Sequence, residues 1–231
     1  MRYFKEIGST NDYIKEYLAE FKENFSGVYT FNQTKGKGQS GITWKCEPEK
    51  NIALTICLTD DKTEAVDVSF WTSVVLRNFF EQLTELKTEI KWTNDILIQK
   101  KKIVGILIEK TENTYIIGVG INVLQTDFGN LPKASSLYLL SGEKKKFDLH
   151  NLTQNFSIFL EKNHHRLFDK EALLREYNAF LFGKDKVRTF VVNAVKQNGI
   201  ILGTTEDGRL KVEFENEKVR LFRNKEIEFL Y

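Results

Sequence analysis

The segment at residues 52–58 constrains the fold more strongly than any other part of the chain. Its sequence, IALTICL, is apolar at nearly every position. A strand with one face in water alternates apolar and polar side chains, and this segment does not alternate. We therefore predict a strand that is buried on both faces.

Patterns on the C-terminal side of this strand predict further helices and strands. Between residues 68 and 86 apolar side chains recur with helical period, which predicts a long helix facing the core. Four strand-like segments separated by short polar turns follow, and they are predicted to be antiparallel neighbours, at residues 88–92, 96–98, 103–108 and 115–119. Helical patterns return at residues 152–168 and 172–181, and Gly183 ends the second of them.

The pattern changes after Gly183 to short strands, predicted at residues 187–195, 200–204, 210–214, 219–222 and 226–230. Asn198-Gly199 and Asp207-Gly208 are typical of hairpin turns. A stretch of this size and type predicts a small β-barrel. We therefore divide the chain into domains at residues 1–183 and 184–231.

Composition excludes several classes of protein. The 231 residues include 34 Lys and Arg against 32 Asp and Glu, a net charge of +2, which argues against a dedicated nucleic-acid coat protein. The sequence has no apolar run long enough for a membrane span, and its N-terminus has no apolar signal region. Cys46 and Cys57 form neither a disulfide framework nor a four-ligand zinc site, so we expect buried thiols and a reducing cytoplasm.

A glycine loop at residues 34–41 contains the first candidate site. Its sequence GKGQSG matches the G-x-G-x-x-G pattern of dinucleotide-binding folds, but that fold needs a helix to begin there, and no helical pattern precedes Pro48. The alternatives are a plain surface loop and a flexible loop whose amides, Lys35 and Lys37 fold over an anionic ligand.

The second and third candidates each contain a lysine beside groups that could bind a ligand. Lys91-Trp92-Thr93-Asn94-Asp95 places a lysine and a tryptophan beside an amide and a carboxylate. Asn94 and Asp95 are common turn formers, and they are also an oxygen pair suited to hydrated Mg²⁺. Lys102 precedes a strand interrupted by Gly105, and a glycine inside a strand often marks the close approach of a ligand or of another backbone. A solvated lysine run is the alternative for Lys102.

The fourth candidate, Gly118-Val119-Gly120-Ile121-Asn122, ends another buried strand. Its glycines leave room on one face for a flat ligand, or form a bulge, and Asn122 offers a donor and an acceptor. His164 and His165 have no metal-ligand spacing and are predicted to be surface or packing residues. No Ser-His-Asp or Cys-His grouping supports covalent hydrolysis.

The order of these motifs resembles that of the biotin protein ligases. The resemblance is carried by five motifs between about residues 4 and 125, namely Ser9-Thr10-Asn11, Gln33 with the glycine loop and Trp44, the Lys91–Asp95 segment, Lys102 with Gly105, and Gly118–Asn122. It implies an α/β catalytic domain like those of class II synthetases, with a mixed sheet and helices on one side, followed by a small SH3-like β-barrel. The patterns described above agree with both parts.

The resemblance also implies a two-step reaction and its partners. The carboxylate of biotin attacks the α-phosphorus of Mg·ATP, which gives biotinyl-5′-AMP and pyrophosphate. A lysine of a biotin carboxyl carrier protein, such as that of acetyl-CoA carboxylase, then takes the biotinyl group and releases AMP. Such an enzyme is a cytoplasmic monomer or homodimer, without a nucleic-acid or membrane partner. A catalytic motif at Ser9 implies the type that lacks an N-terminal DNA-binding domain.

The resemblance assigns roles residue by residue. The catalytic residues are Lys102, Lys91 and Asp95, with Asp95 also an expected Mg²⁺ ligand. The biotin-binding residues are Ser9, Thr10, Asn11, Gln33, Gly36, Lys37, Gly38, Gln39, Lys102 and Gly105. The nucleotide-binding residues are Lys37, Trp44, Lys91, Asn94 and Asn122. A lipoate–protein ligase of the same fold and a non-catalytic biotin-binding regulator are the alternative functions.

The chain departs from the family pattern in its glycine loop. Lys37 stands where the family usually has an arginine, so a planar two-pronged donor is missing. We predict that Lys37→Arg slows the release of the adenylate, because a guanidinium can bind phosphate through two hydrogen bonds. A trap assay measures this release rate, and an unchanged rate would contradict the prediction.

Overall fold

The computed structural model describes residues 1–45, 47–215 and 218–230, so Cys46 lies outside the described residues. The strands are β1 (Arg2–Phe4), β2 (Gly27–Thr30), β3 (Asn51–Thr59), β4 (Thr88–Lys91), β5 (Asp95–Ile98), β6 (Lys101–Thr111), β7 (Thr114–Asn122), β8 (Val187–Val192), β9 (Val195–Thr204), β10 (Leu210–Phe214), β11 (Val219–Phe222) and β12 (Glu228–Leu230). The α-helices are α1 (Thr10–Glu16), α2 (Ala65–Thr84), α3 (Leu137–Leu140), α4 (Leu149–Lys162) and α5 (Lys170–Ala179).

The first seven strands form one mixed sheet in the order β1-β2-β3-β7-β6-β5-β4. β1 pairs with β2 in parallel, and the other neighbouring strands are antiparallel. For the successive pairs from β4 to β7 the short polar turns predicted this arrangement. β3 lies in the interior of this sheet and is buried along nearly all its length. The prediction of a strand buried on both faces is confirmed.

The two faces of this sheet carry different side chains. On one face Ile52, Leu54 and Ile56 join the large core with residues of α2, α4 and α5. On the other face Cys57 joins a small cluster that includes Ile14 of α1. The expected packing of helices on one side therefore holds for the long helices, whereas α1 covers part of the opposite face.

The last five strands form an antiparallel sheet in the order β11-β10-β9-β8-β12. Asp207-Gly208 lies in the turn between β9 and β10, and Gly208 has a φ of +82°. The predicted turn at Asn198-Gly199 is wrong, because these residues lie inside β9. A Cβ on Gly199 would lie 2.8 Å from Val212 Cγ1, so close packing explains this glycine.

The turn between β8 and β9 is instead formed by Asn193 and Ala194, with φ of +50° and +64°. Two consecutive residues with positive φ are typical of a two-residue hairpin loop. The core is continuous between the two sheets, since Phe190 of β8 belongs to the same cluster as Trp71 of α2. The boundary between residues 183 and 184 stays a prediction.

The helices and Cys57 bear on two expectations from composition, in the part of the chain that the structure describes. None of the helices there has the length and apolar character needed to cross a bilayer. Cys57 is a free, fully buried thiol, and burial raises its pKa to about 11.

His164 is a packing residue, as predicted. Its ring contacts Phe25, Trp71 and Phe168, and its buried Nε2 has no hydrogen-bond partner among the described residues. Burial lowers the pKa of His164, although the nearby Asp60 carboxylate opposes this shift. The neutral ring is therefore the form that fits the fold.

We predict that His164 makes the fold sensitive to acid. Below the ordinary histidine pKa of about 6.5 the unfolded chain binds a proton at this position more readily than the folded chain does. The free energy of unfolding therefore decreases as the pH is lowered through this range. His164→Phe keeps the ring contacts and should weaken this dependence. His165→Gln replaces an exposed histidine whose charge is only the smallest of the three contributions to the His164 pKa, so it should retain most of the dependence. Denaturant titrations between pH of about 7.5 and about 5.5 measure the slopes, and equal slopes in wild type and His164→Phe would refute the prediction.

Candidate active site

A cavity of about 670 Å³ lies on the face of the large sheet opposite the long helices. Its floor is made of small residues on three neighbouring strands, namely Ala53, Gly105, Gly118 and Gly120. All the residues with predicted biotin or nucleotide roles line it except Gly36. Gly36, within the glycine loop, packs against Trp44, and a Cβ at this position would lie 2.4 Å from the Trp44 carbonyl oxygen.

One end of the cavity is a fixed array of polar side chains. Ser9 caps α1 by accepting a hydrogen bond from the Asp12 amide at 3.3 Å. The Thr10 amide and hydroxyl both donate to Gln33 Oε1, at 2.9 and 3.1 Å. Asn11 Nδ2 donates to a Glu109 carboxylate oxygen at 2.8 Å. Because Thr10 and Asn11 are also buried, these groups are held in place before any ligand binds.

Thr55 completes this array, although no sequence motif includes it. Its hydroxyl donates to Asn11 Oδ1 at 2.6 Å and lies 2.8 Å from the Thr10 hydroxyl. Thr55 is completely buried in β3, on the same face as the cavity floor. A polar residue in the middle of an otherwise apolar strand is the sequence signal that could have identified it.

Two lysines share one carboxylate on the wall of the cavity. Asp95 Oδ1 lies 2.6 Å from Lys102 Nζ, and Asp95 Oδ2 lies 3.3 Å from Lys91 Nζ. Strand pairing brings them together, because Asp95 is opposite Lys91 on β4 and Gly105 on β6. The cluster carries one net positive charge, and an anion in the cavity would face two ammonium groups whose side chains are already oriented.

Trp44 fills the space above the glycines of the floor. A Cβ on Gly120 would lie 2.4 Å from the indole Cε2, and one on Gly105 would lie 2.9 Å from Cζ3. At Gly118 the same position is blocked by Asn11 Oδ1, at 2.3 Å. The flat group predicted to lie over these glycines is thus the chain's own indole over Gly105 and Gly120, and an amide over Gly118.

The glycine loop is held to three other parts of the molecule. Lys37 forms an ion pair of 2.6 Å with Asp12 of α1. Gln39 Oε1 accepts hydrogen bonds from the Thr93 hydroxyl at 3.2 Å and from Asn224 Nδ2, in the C-terminal region, at 2.8 Å. These contacts hold the loop against the cavity, which Lys37, Gly38 and Gln39 line.

The side chains of Asn94 and Asn122 bind backbone carbonyls. Asn94 Nδ2 donates to the Ile106 carbonyl at 2.6 Å, and Asn122 Nδ2 donates to the Ser135 carbonyl at 3.1 Å. Both residues line the cavity while holding its walls. Their contacts with nucleotide stay predictions.

Sequence motifs missed two segments of the cavity lining. The connection between β7 and α3 contributes Phe128, Asn130, Leu131, Pro132, Lys133 and Ala134, and the C-terminal region contributes Asn224 and Lys225. Both are irregular segments without a recognisable motif. Their positions depend on long-range contacts, such as the hydrogen bond from the Lys102 amide to the Lys133 carbonyl.

Asp95 is not arranged as a protein-held metal site. Both its oxygens are engaged by lysine ammonium groups. The described residues contain no group of three or more His, Cys, Asp or Glu side chains that could hold a metal ion. A metal at Asp95 would need one lysine to turn away, so its role as a Mg²⁺ ligand stays a prediction.

The structure is similar to solved biotin protein ligases. The ligase of Aquifex aeolicus in complex with biotin and ATP superposes with a TM-score of 0.80 at 22% identity, over 99% of this chain and 97% of that one. The ligase of Leishmania major in complex with biotinyl-5-AMP gives a TM-score of 0.68 at 18% identity, over 96% and 98% of the two chains. These likenesses establish the fold.

Sequence comparisons identify relatives of known activity. The bifunctional ligase/repressor BirA of Bacillus subtilis is 30% identical over 87% of this chain and 65% of its own length. The biotin–[acetyl-CoA-carboxylase] ligase of Mycobacterium tuberculosis is 30% identical over 46% of this chain and 42% of its own. The chain thus spans less than two thirds of the length of these relatives.

The family model described as "Biotin/lipoate A/B protein ligase family" matches residues 3–124. This range is more than half of the 231 residues, and it contains the polar array, the glycine loop, the Asp95 cluster and the glycine floor. The chain therefore belongs to the biotin/lipoate A/B protein ligase family.

Proposed function

We propose that the chain is an ATP-dependent biotin–protein ligase, which forms biotinyl-5′-AMP and transfers biotin to a lysine of a biotin carboxyl carrier protein. The observation that carries the proposal is the arrangement of the cavity. A fixed polar array at Thr10 and Gln33 and a pair of lysines at Asp95 line one space of about 670 Å³. The first suits a neutral polar ring, and the second suits a carboxylate and phosphates.

The lysine pair supplies the electrostatics of the first step. As the carboxylate attacks the α-phosphorus, negative charge moves onto the phosphate oxygens and the leaving pyrophosphate. Lys102 and Lys91 are oriented by Asp95 before the ligands arrive, so their charges stabilise the transition state with little reorganisation. Asp95 acts in this proposal by holding both ammonium groups.

Other parts of the cavity select and protect the reactants. Ser9, Thr10, Asn11 and Gln33 bind the ureido ring, and the glycine loop covers it. The indole of Trp44 forms a flat wall beside the nucleotide. A covered site excludes water from the mixed anhydride, which hydrolyses readily. Magnesium enters with the triphosphate as Mg·ATP, and the enzyme works in the cytoplasm, where Cys57 stays reduced.

The relatives favour biotin over lipoate. The family includes ligases of both acids, whereas the relatives described above are named for biotin or for a bifunctional ligase/repressor. A direct test incubates the chain with a biotin carboxyl carrier domain and Mg·ATP, with biotin or lipoate in parallel. We expect intact-mass spectrometry to show an added acyl group on the carrier only with biotin, as a streptavidin blot confirms, and none on a carrier whose acceptor lysine is replaced by arginine. An acyl group added with lipoate alone, or none added with either acid, would reject the proposal.

We predict that Lys102→Met lowers the rate of adenylate formation about 10²–10³-fold, the usual cost of removing one oriented group that stabilises transition-state charge. Biotin affinity should fall much less, because the polar array at the other end of the cavity is unchanged. Pyrophosphate release measures the rate, and calorimetry measures the affinity.

The matched control for this prediction is Lys100→Met. Lys100 is an exposed member of the same lysine run, in the turn between β5 and β6. Its replacement should leave the rate unchanged. If Lys102→Met kept the wild-type rate, or if both variants lost activity equally, the role given to Lys102 would be wrong.

A further inference from the structure

The turn between β4 and β5 joins two of the charged residues in the cavity wall. Lys91 is the last residue of β4, Asp95 is the first residue of β5, and the two lie opposite each other in the strand pairing. β4 is the last strand of the large sheet, so this hairpin has another strand of the sheet on one side only. A turn at the edge of a sheet is easily displaced unless other contacts hold it.

Tyr177 of α5 holds this turn from the core. Its hydroxyl donates a hydrogen bond to the Thr93 carbonyl, in the middle of the turn, at 3.1 Å. Thr93 lines the cavity, whereas Tyr177 belongs to the large core on the helical face of the sheet. The phenol therefore reaches from the helix layer to the backbone of a residue in the cavity wall.

The hydroxyl of Tyr177 adds something that packing does not require. Tyr177 is completely buried, and its ring centroid lies 4.5 Å from that of Phe70, a contact that a phenylalanine would also make. A buried hydroxyl is costly unless it is hydrogen-bonded, which ties this residue to the Thr93 carbonyl. Burial raises the pKa of Tyr177, and the negative charge of Asp95 raises it further. The phenol therefore keeps its proton and donates this bond at neutral pH.

Two other contacts hold the residues on either side of Thr93. The indole Nε1 of Trp92 donates to the Gly208 carbonyl at 2.9 Å. Asn94 exchanges hydrogen bonds with the backbone of Ile106 on β6, at 2.6 and 3.0 Å. The two ends of the turn are thus held by other parts of the molecule, and the phenol fixes the carbonyl between them.

We propose that Tyr177 is a positioning residue for adenylate formation, which sets the geometry of the Asp95 cluster by holding the Thr93 carbonyl. Asp95 orients the ammonium groups of Lys91 and Lys102, so a small rotation of the turn changes where both positive charges lie relative to the α-phosphate. Tyr177 contacts neither reactant and acts only through the turn. The inference rests on the proposed function, because it takes biotin and ATP as the reactants.

Tyr177→Phe tests this role, because it removes the hydroxyl and keeps the ring. We expect kcat for biotin-dependent pyrophosphate release to fall about tenfold. This loss is smaller than the roughly 10²-fold cost of a misplacement of about 1 Å, because Trp92 and Asn94 still hold the ends of the turn. KM for biotin should change by less than about threefold, since the polar array at Thr10 and Gln33 is unchanged.

Tyr115→Phe is the matched control. Tyr115 is 1% exposed, and its hydroxyl also donates to a backbone carbonyl, that of Thr63, but neither of these residues lines the cavity. Both variants should be less stable in denaturant titrations, since each loses the hydrogen bond of a buried hydroxyl. Tyr115→Phe should nevertheless keep the wild-type kcat. A purely structural role for Tyr177 predicts the same kinetic result for both variants.

A double-mutant cycle tests whether Tyr177 acts through Asp95. In Asp95→Asn the two ammonium groups lose the charge that orients them, so the exact position of this side chain matters less. Adding Tyr177→Phe to this variant should lower kcat by about twofold or less. A further loss of about tenfold would show that the two positions act independently.

The outcomes distinguish this inference from the proposed function. If the wild type releases no pyrophosphate in the presence of biotin and Mg·ATP, the proposed function fails. Three results with an active wild type would overturn only the role of Tyr177. These are an unchanged kcat in Tyr177→Phe, an equal loss of kcat in Tyr115→Phe, and a full additional loss in the Asp95→Asn background.

Discussion

The alternation of side chains in β3, β7 and β6 creates both the core and the cavity. On one face these strands present large aliphatic residues such as Leu54, Val119 and Ile106, which pack against the long helices. On the other face they present Ala53, Gly120 and other small residues. A fully buried aliphatic side chain contributes about 1.5–3 kcal/mol, so the first face holds the sheet together. Because that face provides the stability, the second can leave a space beside the backbone.

The register in which β4, β5 and β6 pair determines which charged side chains line this space. Asp95 of β5 lies opposite Lys91 on β4 and one strand away from Lys102, so a slip of one residue would turn the carboxylate away from the cavity. Asp95 is buried and its two lysines are partly exposed, and a buried carboxylate without a partner is costly, so these charges stay together in the absence of a ligand. The sheet therefore holds the two ammonium groups beside the two oxygens of one carboxylate.

Sequence patterns predicted the elements whose burial is periodic. The long helix was found because its apolar residues recur with helical period, and the interior strand because it is apolar at nearly every position. The antiparallel strands after the helix were found because short polar turns separate them. The predicted site residues converge because they lie on loops and strand ends that the sheet brings to one face. Thr55 was missed because its partners, Thr10 and Asn11, are distant in sequence.

The glycines show where sequence reasoning stops. Gly120 makes room for the indole of Trp44, and Gly199 makes room for Val212. The sequence predicted a different role for each of these glycines. The first was expected to make room for a flat group, which the structure shows to be the indole of Trp44, and contact with a ligand there stays a prediction. The second was taken for a turn. A sequence shows only that a glycine has no Cβ. The neighbouring atom that occupies this space is visible only in the packed structure.

Trp92 shows that the C-terminal sheet contributes to the site. It lies within the Lys91–Asp95 segment, yet its indole Nε1 donates to the Gly208 carbonyl in the turn between β9 and β10, at 2.9 Å. The adjacent Thr93 donates to Gln39 of the glycine loop, which also binds Asn224. The segment that carries Lys91 and Asp95 is therefore held from both sides. Because its position depends on contacts with turns of the C-terminal sheet, these turns support the lysine pair, and one of them also lines the cavity.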